Sequence, residues 1–266
     1  MLAVSATEWL WISALLGLLM GSFLSMLSWR LPRMFLQAQP ASKQLKSLTF
    51  SRSECPHCHR PLNANQLIPL FSWIISRGKC RHCGTAISIR YPLIELSSSL
   101  ITLAIAWQFG QSLNTLVFFG FAWLLLAIVI IDIEHQLILD NLSLPLLWLG
   151  LLFSLYSEIT TPNQAILGAI TGYLLLWGLF HTFKFITGKE GMGYGDFKLL
   201  AALGAWFGVL AIPQIILIAS VSSLIIGGGL SLFKLRNLND PMPFGPYLGL
   251  GGGVTLFFGA DIIQRI

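Results

Sequence analysis

Residues 113–140 read LNTLVFFGFAWLLLAIVIIDIEHQLILD, and this stretch decides the fold. From Leu113 to Ile131 it carries no charged residue. Roughly 20 mainly apolar residues suffice to cross the hydrocarbon core of a bilayer as a helix. Asp132, Glu134, His135 and Asp140 then arrive together. The reading is a transmembrane helix that delivers acidic groups to one membrane edge, where carboxylates are costly enough to be functional suspects.

The rest of the 266-residue chain follows the same pattern. Hydrophobic residues make up 55% and charged residues only 10%, whereas a soluble domain needs about 25% charged residues to solvate its surface. That excludes an ordinary soluble domain, a disordered chain, and a nucleic-acid binder working through dense positive charge. Eight apolar stretches are long enough to consider as spans: 9–27, 93–109, 113–131, 142–156, 165–186, 197–212, 214–233 and 244–262. The fourth and sixth are short and the last is glycine-rich, which leaves seven open. The first has no basic flank before it and no small-residue cleavage site after it, so it reads as an anchor rather than a removed signal peptide. The fold class is an all-α polytopic membrane protein.

Charge placement sets the orientation, because cytoplasmic loops are enriched in Lys and Arg. Ten basic residues fall between the first two spans: Arg30, Arg33, Lys43, Lys46, Arg52, Arg60, Arg77, Lys79, Arg81 and Arg90. Placing that loop in the cytoplasm puts the amino terminus outside. Span alternation then brings Lys184, Lys189, Lys198, Lys234 and Arg236 inside and leaves only Arg265 outside. The expected domains are a first helix (1–29), a cytoplasmic loop domain (30–92) and a membrane core (93–266).

All four cysteines lie in that loop, as Cys55-Pro-His-Cys58 and Cys80-Arg-His-Cys83, with 21 residues between the pairs. Two such knuckles suit tetrahedral zinc, each giving two thiolates to one ion. Two disulfides and a redox Cys-x-x-Cys are the rival readings; a cytoplasmic, reducing location argues against the disulfides. Four thiolates complete a structural site, which makes His57, His59 and His82 bystanders. A small loop has little core of its own, so a bound metal would supply much of its folding energy.

The second acidic group to weigh is Asp196, in Gly191-Met-Gly193-Tyr-Gly195-Asp196-Phe-Lys198 at the start of the sixth stretch. Alternation puts Asp132 and Asp196 on the same membrane side. Two carboxylates sharing one proton suit peptide hydrolysis, one accepting a proton from water while the other donates to the carbonyl oxygen. The three glycines are expected to permit positive φ and close approach of an extended peptide. The bland reading of each aspartate is an acid at a helix end. Asp140 reads as a helix cap, Glu134 as a solvated edge residue, and His135 as a secondary candidate. Lys198 reads as a modulator of Asp196 or a topology marker. Glu95, just inside the second span, calls for a partner.

Gly193-Tyr194-Gly195-Asp196 resembles the GxGD signature of intramembrane aspartyl proteases, and the chain resembles the type IV prepilin peptidases in particular. The supporting motifs are Gly21-Ser22-Phe23-Leu24, Arg30-Leu31-Pro32, the paired cysteine knuckles, Ile68-Pro69-Leu70, Arg90-Tyr91-Pro92-Leu93-Ile94-Glu95-Leu96, the Asp132 stretch, and Pro243-Phe244-Gly245-Pro246-Tyr247-Leu248. The resemblance implies a bifunctional enzyme of the bacterial inner membrane. It implies cleavage of the basic leader of type IV prepilins or type II secretion pseudopilins on the cytoplasmic face. Methylation of the new amino terminus with S-adenosylmethionine would follow. It implies Asp132 and Asp196 as the catalytic pair, Cys55, Cys58, Cys80 and Cys83 as zinc ligands, and Gly78 as a position linked to methylation. Two departures stand out: Leu139 where the family often has Pro, and Ser25 where it often has Asn.

Two other function classes could use the same residues. An ion-coupled transporter could use Asp132 and Asp196, but such sites sit at the midplane on broken helices from related repeats, and here the acids lie near one edge with no repeat. A non-enzymatic scaffold presenting a zinc domain leaves the glycine-flanked Asp196 unexplained. Neither reading involves nucleic acid, and both place the chain in a lipid bilayer. No glycine-rich fingerprint of a soluble methyltransferase occurs, so the methyl-donor site has no sequence signal.

Overall fold

A computed structural model of the chain describes residues 5–36, 53–55, 57–157, 159–189, 191–233 and 242–260. Lys43, Lys46, Arg52, Lys234, Arg236 and Arg265 of the topology argument, and the end of the last apolar stretch, lie outside the described residues. Every regular element described is a helix: α1 (Ala6–Leu36), the short α2 (Phe71–Ile75), α3 (Arg90–Phe109), α4 (Leu113–His135), α5 (Asp140–Phe153), α6 (Pro162–Thr187), α7 (Tyr194–Phe207), α8 (Ala211–Leu232) and α9 (Gly245–Phe258). Each of the eight apolar stretches is helical over most of its described residues. Five helices, α1, α3, α4, α6 and α8, are long and apolar enough to cross a membrane. The other three have 14 residues each, about 21 Å at the helical rise, short of a full ~30 Å hydrocarbon core. The first helix runs well past the apolar stretch, through Arg30 and Arg33, and Arg33 stacks its guanidinium 3.3 Å over the Trp29 ring.

The chain divides into two compact units, Met1–Trp123 and Leu124–Ile266. In the first, α1 packs on α3 through a Gly17-x-x-x-Gly21 stripe. A Cβ at Gly17 would lie 2.7 Å from the Ser99 Cα, and one at Gly21 2.6 Å from the Glu95 Cα. Lipid tails are as apolar as Leu, so helices in a bilayer associate by such close packing and by interhelical hydrogen bonds. Ser99 Oγ donates to the Ala14 carbonyl at 2.9 Å. Arg90 fixes the other end, donating to the Ser25 carbonyl at 3.2 Å and to Ser28 Oγ at 2.7 Å. Because the Ser25 main chain makes that contact, the departure from Asn at this position leaves it intact.

In the second unit α7 is the central element. From Asp196 to Phe207 every residue except Lys198 is buried. Small residues make this possible, since a Cβ on Gly168 of α6 or Gly204 of α7 would collide with the carbonyl of the other. On another side of α7, Trp206 fills the space over Gly150 and donates its indole N–H to the Leu146 carbonyl at 2.8 Å. α9 adds a third neighbour, laying Gly252 against Leu203.

Alanine at Gly168 or Gly204 should destabilise the protein by about 1–3 kcal/mol through overpacking. Alanine at Gly178, where a Cβ would meet nothing within 4 Å, should be neutral or stabilising by up to about 1 kcal/mol. Thermal unfolding in detergent decides this. Equal midpoints for Gly168→Ala and Gly178→Ala would mean that the backbone contact does not hold the unit together.

Candidate active site and metal centre

Asp132 occupies the last turn of α4. The turn closes with the Gln136 N–H on the Asp132 carbonyl at 2.9 Å, and Gln136 then takes φ +52°, the left-handed conformation that ends a helix. The chain continues through Leu137–Leu139 into α5. Leu139 has φ −84° and ψ 134°, close to the φ that proline imposes, so leucine holds here the shape expected of the family's proline.

The Asp132 side chain is buried, and its Oδ2 accepts the Gly245 N–H at 2.9 Å. Gly245 opens α9. The first N–H groups of a helix lack internal acceptors and carry the positive end of its dipole, so a carboxylate is well placed there. Any side chain at 245 would interfere, because its Cβ would sit 2.6 Å from Asp132 Oδ2.

Asp196 is the third residue of α7 and is also buried. Its carboxylate is held by the Gly193 main chain and is close enough to Asp132 to feel that group's charge. Ile138 joins the two halves of the site. Built Cβ atoms on Gly195 and on Gly245 would lie 2.6 Å and 3.1 Å from Ile138 atoms. The turn before Asp196 is pinned from outside by rings: Tyr194 and Phe197 pack on Phe180 of α6, with centroids 5.3 Å and 5.6 Å apart.

Two expectations need correction. None of Gly191, Gly193 and Gly195 adopts positive φ. Gly195 is required because Ile138 leaves no room for a Cβ, and Gly193 is an extended N-cap. Asp140 is not a cap either: Leu139 holds that position, with no side-chain cap bond. Asp140 instead forms an ion pair with Lys198 at 2.6 Å, partly exposed to solvent. Lys198 therefore ties the start of α7 to the start of α5. Glu134 and His135 are exposed beside the site. Gly245, Ile138 and Phe180 were missed in the sequence. Only the Pro243–Leu248 motif offered a signal, and it carried no role.

The four cysteines come together. One sulfur from each of Cys55, Cys58, Cys80 and Cys83 lies within 4.8 Å of every other. Sulfurs about 2.3 Å from a central ion sit about 3.8 Å apart in a tetrahedron, and Cys55 and Cys83 Sγ are 3.8 Å apart. The two knuckles are built alike. His59 N–H donates to the Cys55 carbonyl and Gly84 N–H to the Cys80 carbonyl, both at 2.9 Å. His59 and Gly84 both have positive φ, and isolated bridges Glu54–Pro61 and Lys79–Ala86 flank the pairs. Hydrogen bonds with the Thr85 hydroxyl and main chain pull the Cys83 thiol down to about 6. The Arg60 main chain draws Cys58 down, but burial and the neighbouring Cys55 and Cys83 sulfurs push it up to about 11. A thiol quartet crowded in this way gains most from a cation, which favours every thiolate at once.

Glu95 has the partner the sequence called for: its Oε2 accepts the Leu70 N–H at 2.8 Å. Leu70 holds φ +60°, a strained value for a bulky residue. Gly78, with φ +66°, lies against the Trp73 ring, where a Cβ would approach to 2.9 Å.

Residues 15–109 match the bacterial peptidase A24 N-terminal domain, and residues 119–228 match the type IV leader peptidase family. The prepilin leader peptidase/N-methyltransferase of Aeromonas hydrophila is 43% identical, over 96% of this chain and 93% of its own. Proteins of the same name from Stutzerimonas stutzeri and Pseudomonas aeruginosa are 44% and 43% identical, each across 90% of its length. They cover 93% and 94% of this chain, respectively. No solved structure matches.

The cysteine geometry predicts one tightly held metal ion per chain by elemental mass spectrometry. Cys80→Ser should lower that content to below half. Acidification should release the ion, because protons compete for thiolates. Full occupancy in the Cys80→Ser chain would remove this cluster as the site.

Proposed function

Because the chain belongs to the type IV leader peptidase family, we propose that it cleaves the leader of prepilins and pseudopilins and methylates the amino terminus so exposed. The observation that carries the peptidase reading is the pair of buried carboxylates, Asp132 and Asp196, within electrostatic reach of each other at the ends of α4 and α7. Their roles follow from the chemistry of amide hydrolysis. One carboxylate takes a proton from the attacking water while the other, protonated, donates to the carbonyl oxygen. Collapse of the resulting diol passes a proton to the leaving amine. Gly245 and Gly193 orient the two groups through main-chain hydrogen bonds, and Gly193 offers an extended backbone edge beside Asp196.

The substrate agrees with the topology. A basic leader stays in water while the following pilin segment is an apolar helix, so the scissile bond lies at the membrane edge. The bias of basic residues supports a cytoplasmic location for that edge in the bacterial inner membrane, with the amino terminus periplasmic. Zinc is the ion that four thiolates in tetrahedral spacing suit, held by Cys55, Cys58, Cys80 and Cys83 in a structural role. S-adenosylmethionine is the methyl donor in this reading and supplies an electrophilic methyl group. Gly78 acts on methylation through Trp73, since any side chain there displaces the ring. The transporter reading of the two aspartates is not supported, as the relatives are named for peptidase and methyltransferase activity.

Purified enzyme incubated with a prepilin, with product mass read by mass spectrometry, tests the assignment. Asp132→Asn and Asp196→Asn should each slow cleavage by about 10²–10⁴-fold, while a pre-cleaved pilin is still methylated. Normal cleavage by either variant would refute the pair. Gly245→Val should also depress cleavage by displacing the Asp132 carboxylate. Stripping the metal should damage methylation or the fold of the cysteine loop more than cleavage. Undiminished methylation by the metal-free enzyme would refute that part.

A further inference from the structure

Segment 67–75 of the cysteine loop carries large apolar side chains that the protein leaves uncovered. Leu67, Ile68, Phe71, Ile74 and Ile75 are between 42% and 68% exposed, and α2 contains no buried residue. Phe71, Ile74 and Ile75, at i, i+3 and i+4, share one side of the helix. Trp73 lies on the other side, where its indole N–H donates to the Ile87 carbonyl at 3.1 Å and ties α2 to the rest of the loop. A contiguous apolar face of this kind marks contact with another apolar body.

Depth identifies that body. α3 has 20 residues, about 30 Å at the helical rise, so it needs nearly its whole length to cross the ~30 Å hydrocarbon core. Glu95 is its sixth residue and lies about 7 Å inside the end. Its Oε2 accepts the Leu70 N–H at 2.8 Å, which brings the start of α2 to that level. At the same end of α3, Leu93 and Leu96 are exposed as well. Backbone at this depth must be satisfied internally, because hydrocarbon offers no partners. A helix start ordinarily leaves N–H donors unpaired, yet those of 70–72 all have acceptors, as do those of 76–79 just beyond the helix. Arg77 and Lys79 are exposed where the chain leaves α2, and basic groups beside an apolar face suit the lipid phosphates.

We propose that the apolar side of α2, together with Leu67 and Ile68, is inserted among the acyl chains of the leaflet on the cysteine-loop side. The loop is then a body seated in the membrane surface rather than a domain free in water. The Glu95–Leu70 hydrogen bond sets how deep it sits, and Arg77 and Lys79 hold its outer edge at the headgroups. Gly78 N–H donates to the Trp73 carbonyl at 2.9 Å, so the knuckle that begins at Cys80 is carried on α2 and is kept at the same surface. The interaction is with lipid and stands apart from either chemical activity.

Photolabelling from within the bilayer tests this. The full-length protein is reconstituted in vesicles of phosphatidylethanolamine and phosphatidylglycerol, doped with a phospholipid that bears a diazirine near the glycerol end of one acyl chain. After irradiation, digestion and mass spectrometry locate the adducts. Adducts are expected on 67–75 as well as on 93–100, at every protein-to-lipid ratio. Adducts on 93–100 with none on 67–75 would overturn the proposal, and wild-type protein decides this without any variant. Adducts on 67–75 that fade as protein density rises would assign the face to a second copy of the chain. Protection of 67–75 alone by added prepilin would assign it to the substrate. Either result overturns the lipid assignment. The double variant Ile74→Lys/Ile75→Lys should lose about threefold or more of the adducts on 67–75, with those on 93–100 and the metal content unchanged. Undiminished labelling of 67–75 in that variant would show that the reagent reaches the segment without insertion, and overturns the proposal too.

Discussion

The second unit depends on the backbone contact between Gly168 and Gly204. Helices in a bilayer gain little from hiding apolar side chains, because lipid is as apolar as they are. What holds α7 between its neighbours is close approach, and a Cβ on either glycine would prevent it. The result is a helix buried almost all round. Asp196 and Phe197 in its first turn are buried with it, so Asp196 lies inside protein rather than facing lipid. A carboxylate there would be prohibitively costly if it faced hydrocarbon.

Asp132 meets the same constraint differently. It lies in the last turn of its helix just where α9 begins, and the Gly245 N–H, with no acceptor inside its own helix, donates to its carboxylate oxygen. Both acids thus draw on main-chain donors, which cannot ionise and move little once the helices are packed. Ile138, lodged against Gly195 and Gly245, keeps the two helix starts in register. The Asp140–Lys198 pair does the same at the wetter rim. An exposed ion pair is worth little in stability, so its value here is positional.

The first unit solves a different problem. A loop poor in apolar core is organised by two matching knuckles whose sulfurs converge, and by Glu95, which reaches from α3 to hold the strained Leu70. The residues proposed for leader cleavage all belong to the second unit. The cysteines and Gly78 all belong to the first. That division suits a protein whose relatives carry two activities in one name.

Some of this was legible in the chain alone because it depends on composition and local spacing. The apolar runs, the scarcity of charge, the paired Cys-x-x-Cys motifs and the acids at helix ends are properties of short segments, and the eight helices and the cysteine cluster appear where those segments lie. The sequence singled out Asp132 and Asp196, but their surroundings depend on distant residues: Gly245, more than a hundred positions from Asp132, and Ile138, on a separate segment from Asp196. The same holds for Asp140, which looked like a cap because caps are local, and proved to be the partner of a lysine on another helix. The glycines before Asp196 suggested unusual torsions, yet Gly195 is required by a neighbour's bulk. Local chemistry determined which elements form and which groups are reactive. Only tertiary packing decided what each group touches, because contact between distant segments is set by the shapes of several helices at once.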